Sequence, residues 1–374
     1  MHPITIIGTG LAGYTVAREF RKLDKDSPLR LITSDDGNFY SKPMLSNAFT
    51  KNKTPENLVA IPVAKMIEQL NTEILTITQV TQLTPLKIQD KQLEYSKLVL
   101  ALGAYPIQLP FTGSAADDVM SVNDLNDYTK FRKALTNAKK VVIMGAGLIG
   151  CEFANDLQQG GFEVTIVDPA PHPLGQLVPK AIGQTMQKAL QNIGISFHFG
   201  KIVTNVDKGY KLTLNDDSIL TADVVLSAVG LIPRTKLVTN HLSINRGILV
   251  DRYLQTSMEN IYSLGDCAEV EGLVLPFIMP LMNAAKALAK TLAGEPTQVN
   301  YPAMPVVVKT SVCPLVVSPP KAGLEGKWQV TGEGQNLKAL FFTPEQKLAG
   351  FALTGTTVAE KMTLAKDLPA LLKR

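Results

Sequence analysis

The amino-acid sequence predicts an α/β fold with two similar parallel-sheet units in succession, and three observations carry that reading. A short apolar strand, a glycine turn and a helix-forming stretch occur twice. Ile4-Thr5-Ile6-Ile7 runs into Gly8-Thr9-Gly10-Leu11-Ala12-Gly13, and Val141-Val142-Ile143-Met144 runs into Gly145-Ala146-Gly147-Leu148-Ile149-Gly150. Each copy is followed by a further apolar strand ending in glycine, over residues 98–103 and 224–230. The chain of 374 residues is long enough for two or three domains of roughly 150 residues each.

Each glycine of such a turn has its own task. One permits the tight strand-to-helix turn, one lets the backbone approach a pyrophosphate, and one allows helix to pack closely on strand. The helix N-terminus then offers free N–H groups and a positive dipole end to the phosphates. A single turn of this kind is a weak signal, since packing alone can select it. Two copies in the same context predict two Rossmann-like dinucleotide-binding domains. An acidic residue is expected at the end of the next strand to bind a ribose hydroxyl. In the second copy Val164-Thr165-Ile166-Val167-Asp168 supplies Asp168, and no Arg follows nearby to receive a 2′-phosphate, which favours NADH over NADPH. Gly145, Gly147, Leu148, Ile149 and Gly230 complete that candidate NAD site. The first copy is less regular: in Leu31-Ile32-Thr33-Ser34-Asp35-Asp36 either Ser34 or Asp35 can take the ribose.

Composition narrows the function class. Apolar residues make up 45% and charged residues 19%, an ordinary globular balance. The net charge of +4 is too small to point to nucleic acid. Its location says more: residues 1–300 hold 28 basic and 28 acidic side chains, and residues 301–374 hold 9 and 5. Cys151, Cys267 and Cys313 are far apart and the four histidines are scattered, so neither a disulfide framework nor a metal site is expected. The apolar stretch 272–285 is too short to span a bilayer and contains Pro276 and Pro280. No signal peptide is visible, because Ile4 already opens a strand. A cytoplasmic protein that binds neither membrane nor nucleic acid is expected.

Residues 256–266, Thr-Ser-Met-Glu-Asn-Ile-Tyr-Ser-Leu-Gly-Asp, resemble the second FAD fingerprint of the FAD-dependent pyridine nucleotide–disulfide oxidoreductase superfamily. The resemblance implies a glutathione reductase-like arrangement. An FAD-binding domain covers residues 1–110 and 243–300, and an NAD-binding domain at 111–242 is inserted within it. Dithiol members of the superfamily carry a cysteine pair after the first strand pair, and others a single cysteine near Lys42. Here the segment reads Asn38-Phe39-Tyr40-Ser41-Lys42-Pro43-Met44-Leu45-Ser46-Asn47, with no sulfur nucleophile. Together with Gly147-Leu148-Ile149-Gly150-Cys151-Glu152, Val307-Val308-Lys309-Thr310 and Gly350-Phe351-Ala352-Leu353-Thr354-Gly355, it resembles the NADH-dependent rubredoxin reductases of alkane-oxidising bacteria. This implies a small α+β C-terminal domain over 301–374, and electron flow from NADH through FAD to rubredoxin, a small acidic protein. Ferredoxin reductases of the superfamily usually have Lys where this chain has Asn47. An NADH-dependent ferredoxin reductase and a low-turnover redox-signalling flavoprotein are the rival readings.

The resemblance also implies roles for individual residues. Thr9, Gly10, Leu11 and Ala12 hold the FAD pyrophosphate, Thr33 and Ser34 lie at the adenosine ribose, and the backbone of Val80 meets the adenine. Asp266 binds the ribitol, and Ile278, in the loop after the Gly-Asp turn, brings backbone to the flavin ring. Lys42 and Glu152 resemble the Lys–Glu pair beside flavin N5, and Lys309 reaches the ring from the C-terminal domain. From the residues alone, Lys42 reads as a plain surface lysine, and Lys309 as the solvent-facing charge of an apolar strand. The cysteines read as small buried packing residues. Trp328 reads as packing, His198 as turned away from Phe197 and Phe199, and residues 283–293 as an amphipathic helix with Lys286 and Lys290 outward.

Overall fold

The computed structural model describes residues 2–372. Its first sheet is wholly parallel, with strand order Ile261–Ser263, Lys97–Leu100, Ile4–Ile7, Leu29–Ile32 and Glu73–Leu75. Both faces are covered, so the strands are continuous apolar runs rather than alternating ones. Ile4, Ile6 and Ile7 are all buried. The helix Leu11–Leu23 lies on one face beside the helix Ile278–Leu292, and Tyr14, Phe20, Leu288 and Met66 close that core. Each such fully buried side chain contributes roughly 1.5–3 kcal/mol. Strand 261–263 adds to the first sheet although the second sheet intervenes in the chain, so the chain leaves this unit and returns to it.

The second sheet is also parallel, with order Ser196–Phe199, Glu163–Asp168, Lys140–Met144 and Val224–Ser227. The helix Leu148–Gln159 follows its central strand as Leu11–Leu23 follows the central strand of the first. A two-stranded antiparallel ribbon, Ala104–Pro106 with Leu231–Pro233, carries both passages between the units.

The third region is an antiparallel sheet of five strands, ordered Val306–Val308, Leu315–Ser318, Leu348–Thr354, Asn336–Phe342 and Lys327–Glu333. The short helix Lys361–Asp367 follows it, giving the α+β region expected after residue 300. One face packs on the second unit: Val308, Leu315, Val317, Ala339 and Ala352 share a core with Ile182, Met186 and Leu190. Residues 371 and 372 fold back, their N–H groups donating to Tyr301 O at 2.8 and 3.1 Å. Trp328 packs edge-on against Phe341 at 5.4 Å, and Phe197 stacks on Phe199 at 4.9 Å, as the pattern predicts.

One boundary differs from the sequence expectation. The helix expected over 283–293 begins at Ile278, with Pro280 in its first turn. The first N–H groups of a helix have no intrahelical acceptor, so a proline is tolerated there. Ile278 is therefore the first residue of a helix rather than part of a loop. Lys286 and Lys290 are exposed on it.

Candidate active site

The two glycine turns have the same geometry. A Cβ on Gly8 would lie 2.3 Å from Ala101 O, and one on Gly13 would lie 1.9 Å from Gly8 O. In the second turn a Cβ on Gly145 would lie 2.7 Å from Ala228 O, and one on Gly150 would lie 1.9 Å from Gly145 O. These four positions exclude any side chain because backbone already fills the space. The middle glycines behave in the opposite way: a Cβ on Gly10 or Gly147 meets nothing within 4 Å. Their backbones are also ordinary, with φ −65° and −74°. Packing and strain both fail to explain a glycine there. Open space at a helix N-terminus, kept clear of side chains, fits a pyrophosphate.

The acidic residues differ between the two copies. Asp168 ends its strand and accepts the Ala146 N–H at 2.6 Å and the Ala170 N–H at 2.7 Å, which ties the strand end to the turn. In the first copy the tie is Asp35, three residues past its strand. Its Oδ1 accepts from the hydroxyls of Thr9 at 3.0 Å and Thr33 at 2.6 Å, and from the Gly37 N–H at 2.9 Å. Ser34 is exposed. Val80 is buried in a separate small sheet, Val80–Gln82 with Lys87–Ile88 and Lys91–Gln92. The Thr78 N–H donates to Thr33 O at 2.7 Å, which holds that sheet beside the end of strand 29–32.

The Gly-Asp turn closes over the first glycine turn. A Cβ on Gly265 would lie 3.0 Å from the Ala12 Cβ, so Gly265–Cys267 abuts the start of helix Leu11–Leu23. Asp266 is desolvated there; burial pushes its carboxyl above the ordinary range, and the Lys42 charge pulls it part of the way back. Lys42 opens the 3₁₀ stretch Lys42–Asn47. Burial lowers its pKa, Asp266 raises it, and the like charge of Arg234 lowers it further. It is not the freely solvated lysine of the plain reading. Arg234 itself lies over the Tyr105 ring at 4.3 Å.

The expected Lys42–Glu152 contact is replaced by another arrangement. Lys42 Nζ donates to Asn123 Oδ1 at 2.7 Å. Glu152, 3% exposed, is partnered by Lys309, whose Nζ lies 2.7 Å away and whose backbone N–H donates at 2.9 Å. Ser46 Oγ also donates to Glu152, at 2.6 Å, while Lys309 Nζ bonds the Ser46 hydroxyl at 2.9 Å and Pro43 O. The physical reason is reach. Lys309 comes in just past the end of strand Val306–Val308 and its ammonium meets Glu152, whereas the Lys42 ammonium is taken by the Asn123 amide. Asn47 donates to Lys309 O at 3.4 Å, a further contact between this turn and the C-terminal region.

Helix Leu148–Gln159 is the hub of these contacts. Its Asp156, 1% exposed, accepts the Phe49 and Thr50 N–H groups at 3.0 and 2.8 Å, and Asn155 meets Ser311 at 3.3 Å. One helix therefore presents its N-terminus to the second nucleotide site while its polar face holds residues 46–50 and 309–311. Cys151 and Cys267 are fully buried with raised pKa values, and burial pushes Cys313 up to about 11, so the thiols are packing residues. Among the described residues there is no metal-binding cluster of His, Cys, Asp or Glu.

Residues 2–290 match the pyridine nucleotide-disulphide oxidoreductase family, and residues 298–368 match the rubredoxin binding C-terminal domain. The chain belongs to the pyridine nucleotide-disulphide oxidoreductase family. It is 51% identical to a rubredoxin-NAD(+) reductase of Alcanivorax borkumensis over the whole of both chains. It is 46% identical to that of Acinetobacter baylyi, over 100% of this chain and 99% of the relative. The ferredoxin reductase for the CYP199A2 system of Rhodopseudomonas palustris superposes with a TM-score of 0.88 at 26% identity, over 99% of this chain and 96% of that one.

This oxidoreductase family uses FAD and NADH, and the residues present fit both. The fit rests on the two cleared spaces at Gly10 and Gly147, each with a carboxylate tied to its turn, Asp35 through the Thr9 hydroxyl and Asp168 through the Ala146 N–H. Ser46, Asn123 and Asp156 were not singled out from the sequence. Ser46 lies within the segment 38–47, but nothing in its type or spacing tells it from a turn serine. Asn123 carries no local signal beyond preceding the helix-capping Asp124.

Proposed function

We propose that this protein is an NADH:rubredoxin oxidoreductase of the FAD-dependent type. The observation that carries the reading is that the region matching a rubredoxin-binding domain delivers its own residue, Lys309, onto Glu152 beside Lys42's turn. The nucleotide-binding part of the chain and the region that matches a rubredoxin-binding domain thus share one hydrogen-bonded network. When bound, FAD supplies hydride acceptance and the release of single electrons. The chain's residues bind and orient. Thr9 to Ala12 receive one pyrophosphate, Thr33, Ser34 and Val80 flank the adenosine end, and Asp266 and the N-terminus at Ile278 meet the ribitol and ring. Gly145, Gly147, Leu148, Ile149, Asp168 and Gly230 receive NADH. Lys42 brings positive charge to the ring, and Glu152 with Lys309 braces the same turn through Ser46 and Pro43.

The boundaries of the discontinuous FAD domain (1–110 and 243–300), the NAD domain (111–242) and the C-terminal domain (301–374) belong to this reading. The return of strand 261–263 to the first sheet supports them. No described helix is long and apolar enough to cross a membrane. We place the protein in the cytoplasm; its three free buried cysteines suit a reducing compartment. The motif resemblance extends the reading to electron supply for an alkane hydroxylase. Stopped-flow mixing of the FAD-loaded protein with NADH, then rubredoxin or ferredoxin, tests the proposal. Fast reduction of rubredoxin with slow reduction of ferredoxin supports it. The reverse preference, or stable reduction without turnover on either protein, overturns it.

A further inference from the structure

Asn123 is 7% exposed and held from several directions. Its Nδ2 donates to Ala104 O at 3.0 Å. A carbonyl can only accept, so this contact fixes which end of the amide faces Lys42. The Asn123 N–H donates to Asp127 Oδ2 at 3.1 Å, and the next residue, Asp124, caps helix Leu125–Ala134 by accepting the Asp127 N–H at 2.8 Å. Ala104 opens the ribbon Ala104–Pro106 that ties the two nucleotide-binding units together. Asn123 therefore belongs to a rigid frame, whereas Lys42 has a long side chain with several free torsions. Oδ1 accepts from the ammonium at 2.7 Å.

The chemistry of the acceptor matters as much as its position. A carboxylate at 123 would hold the lysine equally well but would cancel its charge. A neutral amide holds it and leaves the charge available. We propose that Asn123 is a positioning residue that aims the Lys42 ammonium at the flavin without compensating its charge. This rests on the proposed place of Lys42 beside the flavin. Burial and Arg234 both disfavour the charged form of Lys42, while Asp266, Asp124 and Asp127 favour it, so a buried ammonium in this position needs a fixed acceptor.

The test is a double-mutant cycle on the flavin midpoint potential, measured by spectroelectrochemistry on the FAD-loaded full chain. Asn123→Leu removes the acceptor, and Asn123→Ser serves as a second variant that keeps a small polar residue without the reach. Either should make reduction about tenfold less favourable, a fall of about 30 mV for a two-electron couple. In a Lys42→Met background the same change at 123 should shift the potential no further, because it acts only through Lys42. A structural role alone would not produce that non-additivity. A potential unchanged by both variants, or an equal shift in both backgrounds, overturns the inference while leaving the reductase reading intact. A purified protein that shows no flavin absorbance after FAD loading overturns both.

Discussion

The two glycine turns solve the same problem with the same backbone and different acids. In both, the outer glycines are excluded from bearing a side chain by carbonyl oxygens 1.9 to 2.7 Å from the missing Cβ, and the middle glycine faces open space. The second turn is closed by Asp168 acting directly on a turn N–H, whereas the first is closed by Asp35 through the Thr9 hydroxyl. The difference teaches that the glycine pattern encodes two separable things. The outer glycines encode the fold, and the middle one encodes the ligand. The acid after the strand is a looser requirement, which either a direct or a relayed contact satisfies.

The outer positions should show the largest effects. Gly13→Ala and Gly150→Ala each drive a methyl into a backbone carbonyl that has no room to move, at a cost of about 3 kcal/mol. Chemical denaturation should show this loss in both apoproteins. Nucleotide content should then separate them: Gly13→Ala purifies without FAD, while Gly150→Ala keeps FAD and fails to bind NADH. Equal loss of both nucleotides from either variant would break the assignment of one turn to each.

The middle positions invert that pattern. Gly10 and Gly147 have backbone angles open to any residue, so alanine there costs the apoprotein about 1 kcal/mol or less, a helix N-cap effect. The methyl instead occupies the space reserved for phosphate. Gly10→Ala should weaken FAD binding, and Gly147→Ala NADH binding, by about a hundredfold, equivalent to about 2.7 kcal/mol. Fluorescence titration of each nucleotide, beside an unfolding curve of the apoprotein, reads the two quantities independently. A stability loss as large as that of Gly13→Ala would show that the open space is not the reason for the glycine.

These contrasts also locate what was legible in the sequence. Both turns, the order of the units, Asp168, and the packing roles of Trp328 and the cysteines follow from local pattern, because strand–turn–helix geometry is set within about thirty residues. The start of helix Ile278–Leu292 was masked by Pro280, which local rules treat as a breaker but a first turn accepts. The tie between Asp35 and the first turn could not be read locally, since it depends on where Thr9 places its hydroxyl. The pairing of Glu152 with Lys309 was least legible of all. Their 157-residue separation is closed only by packing the C-terminal sheet on the second unit, and no spacing rule reports that.

At the acids the expected effects are smaller and unequal. Asp168→Ala leaves the Ala146 and Ala170 N–H groups without their acceptor and removes the ribose contact proposed for it. Each hydrogen bond to a charged group contributes roughly 1.5–3 kcal/mol, so kcat/KM for NADH should fall by about thirtyfold, with FAD content unchanged. Asp35→Ala should weaken FAD binding by less, because Thr9 and Thr33 keep hydroxyls that can turn to water or to each other. The ratio of the two losses measures how much the relayed contact differs from the direct one.

The smallest expected effect separates both turns from the third region. The basic excess of the chain lies after residue 300, where Lys321, Lys327, Lys347 and Lys366 are exposed, whereas Lys338 is paired with Glu360 at 3.0 Å and Lys309 with Glu152. Exposed charge of this kind acts at long range on an acidic partner and is screened within about 8–10 Å at physiological salt. It raises the rate of encounter more than the strength of the docked complex. Between 50 and 200 mM salt, rubredoxin reduction should therefore slow by about threefold. Hydride transfer from bound NADH should hold steady, because the groups that orient it around Gly147 and Asp168 are already in place before the partner arrives. If hydride transfer fell in step with rubredoxin reduction, the basic excess would be acting on the nucleotide sites, and the division of labour between the turns and the C-terminal region would fail.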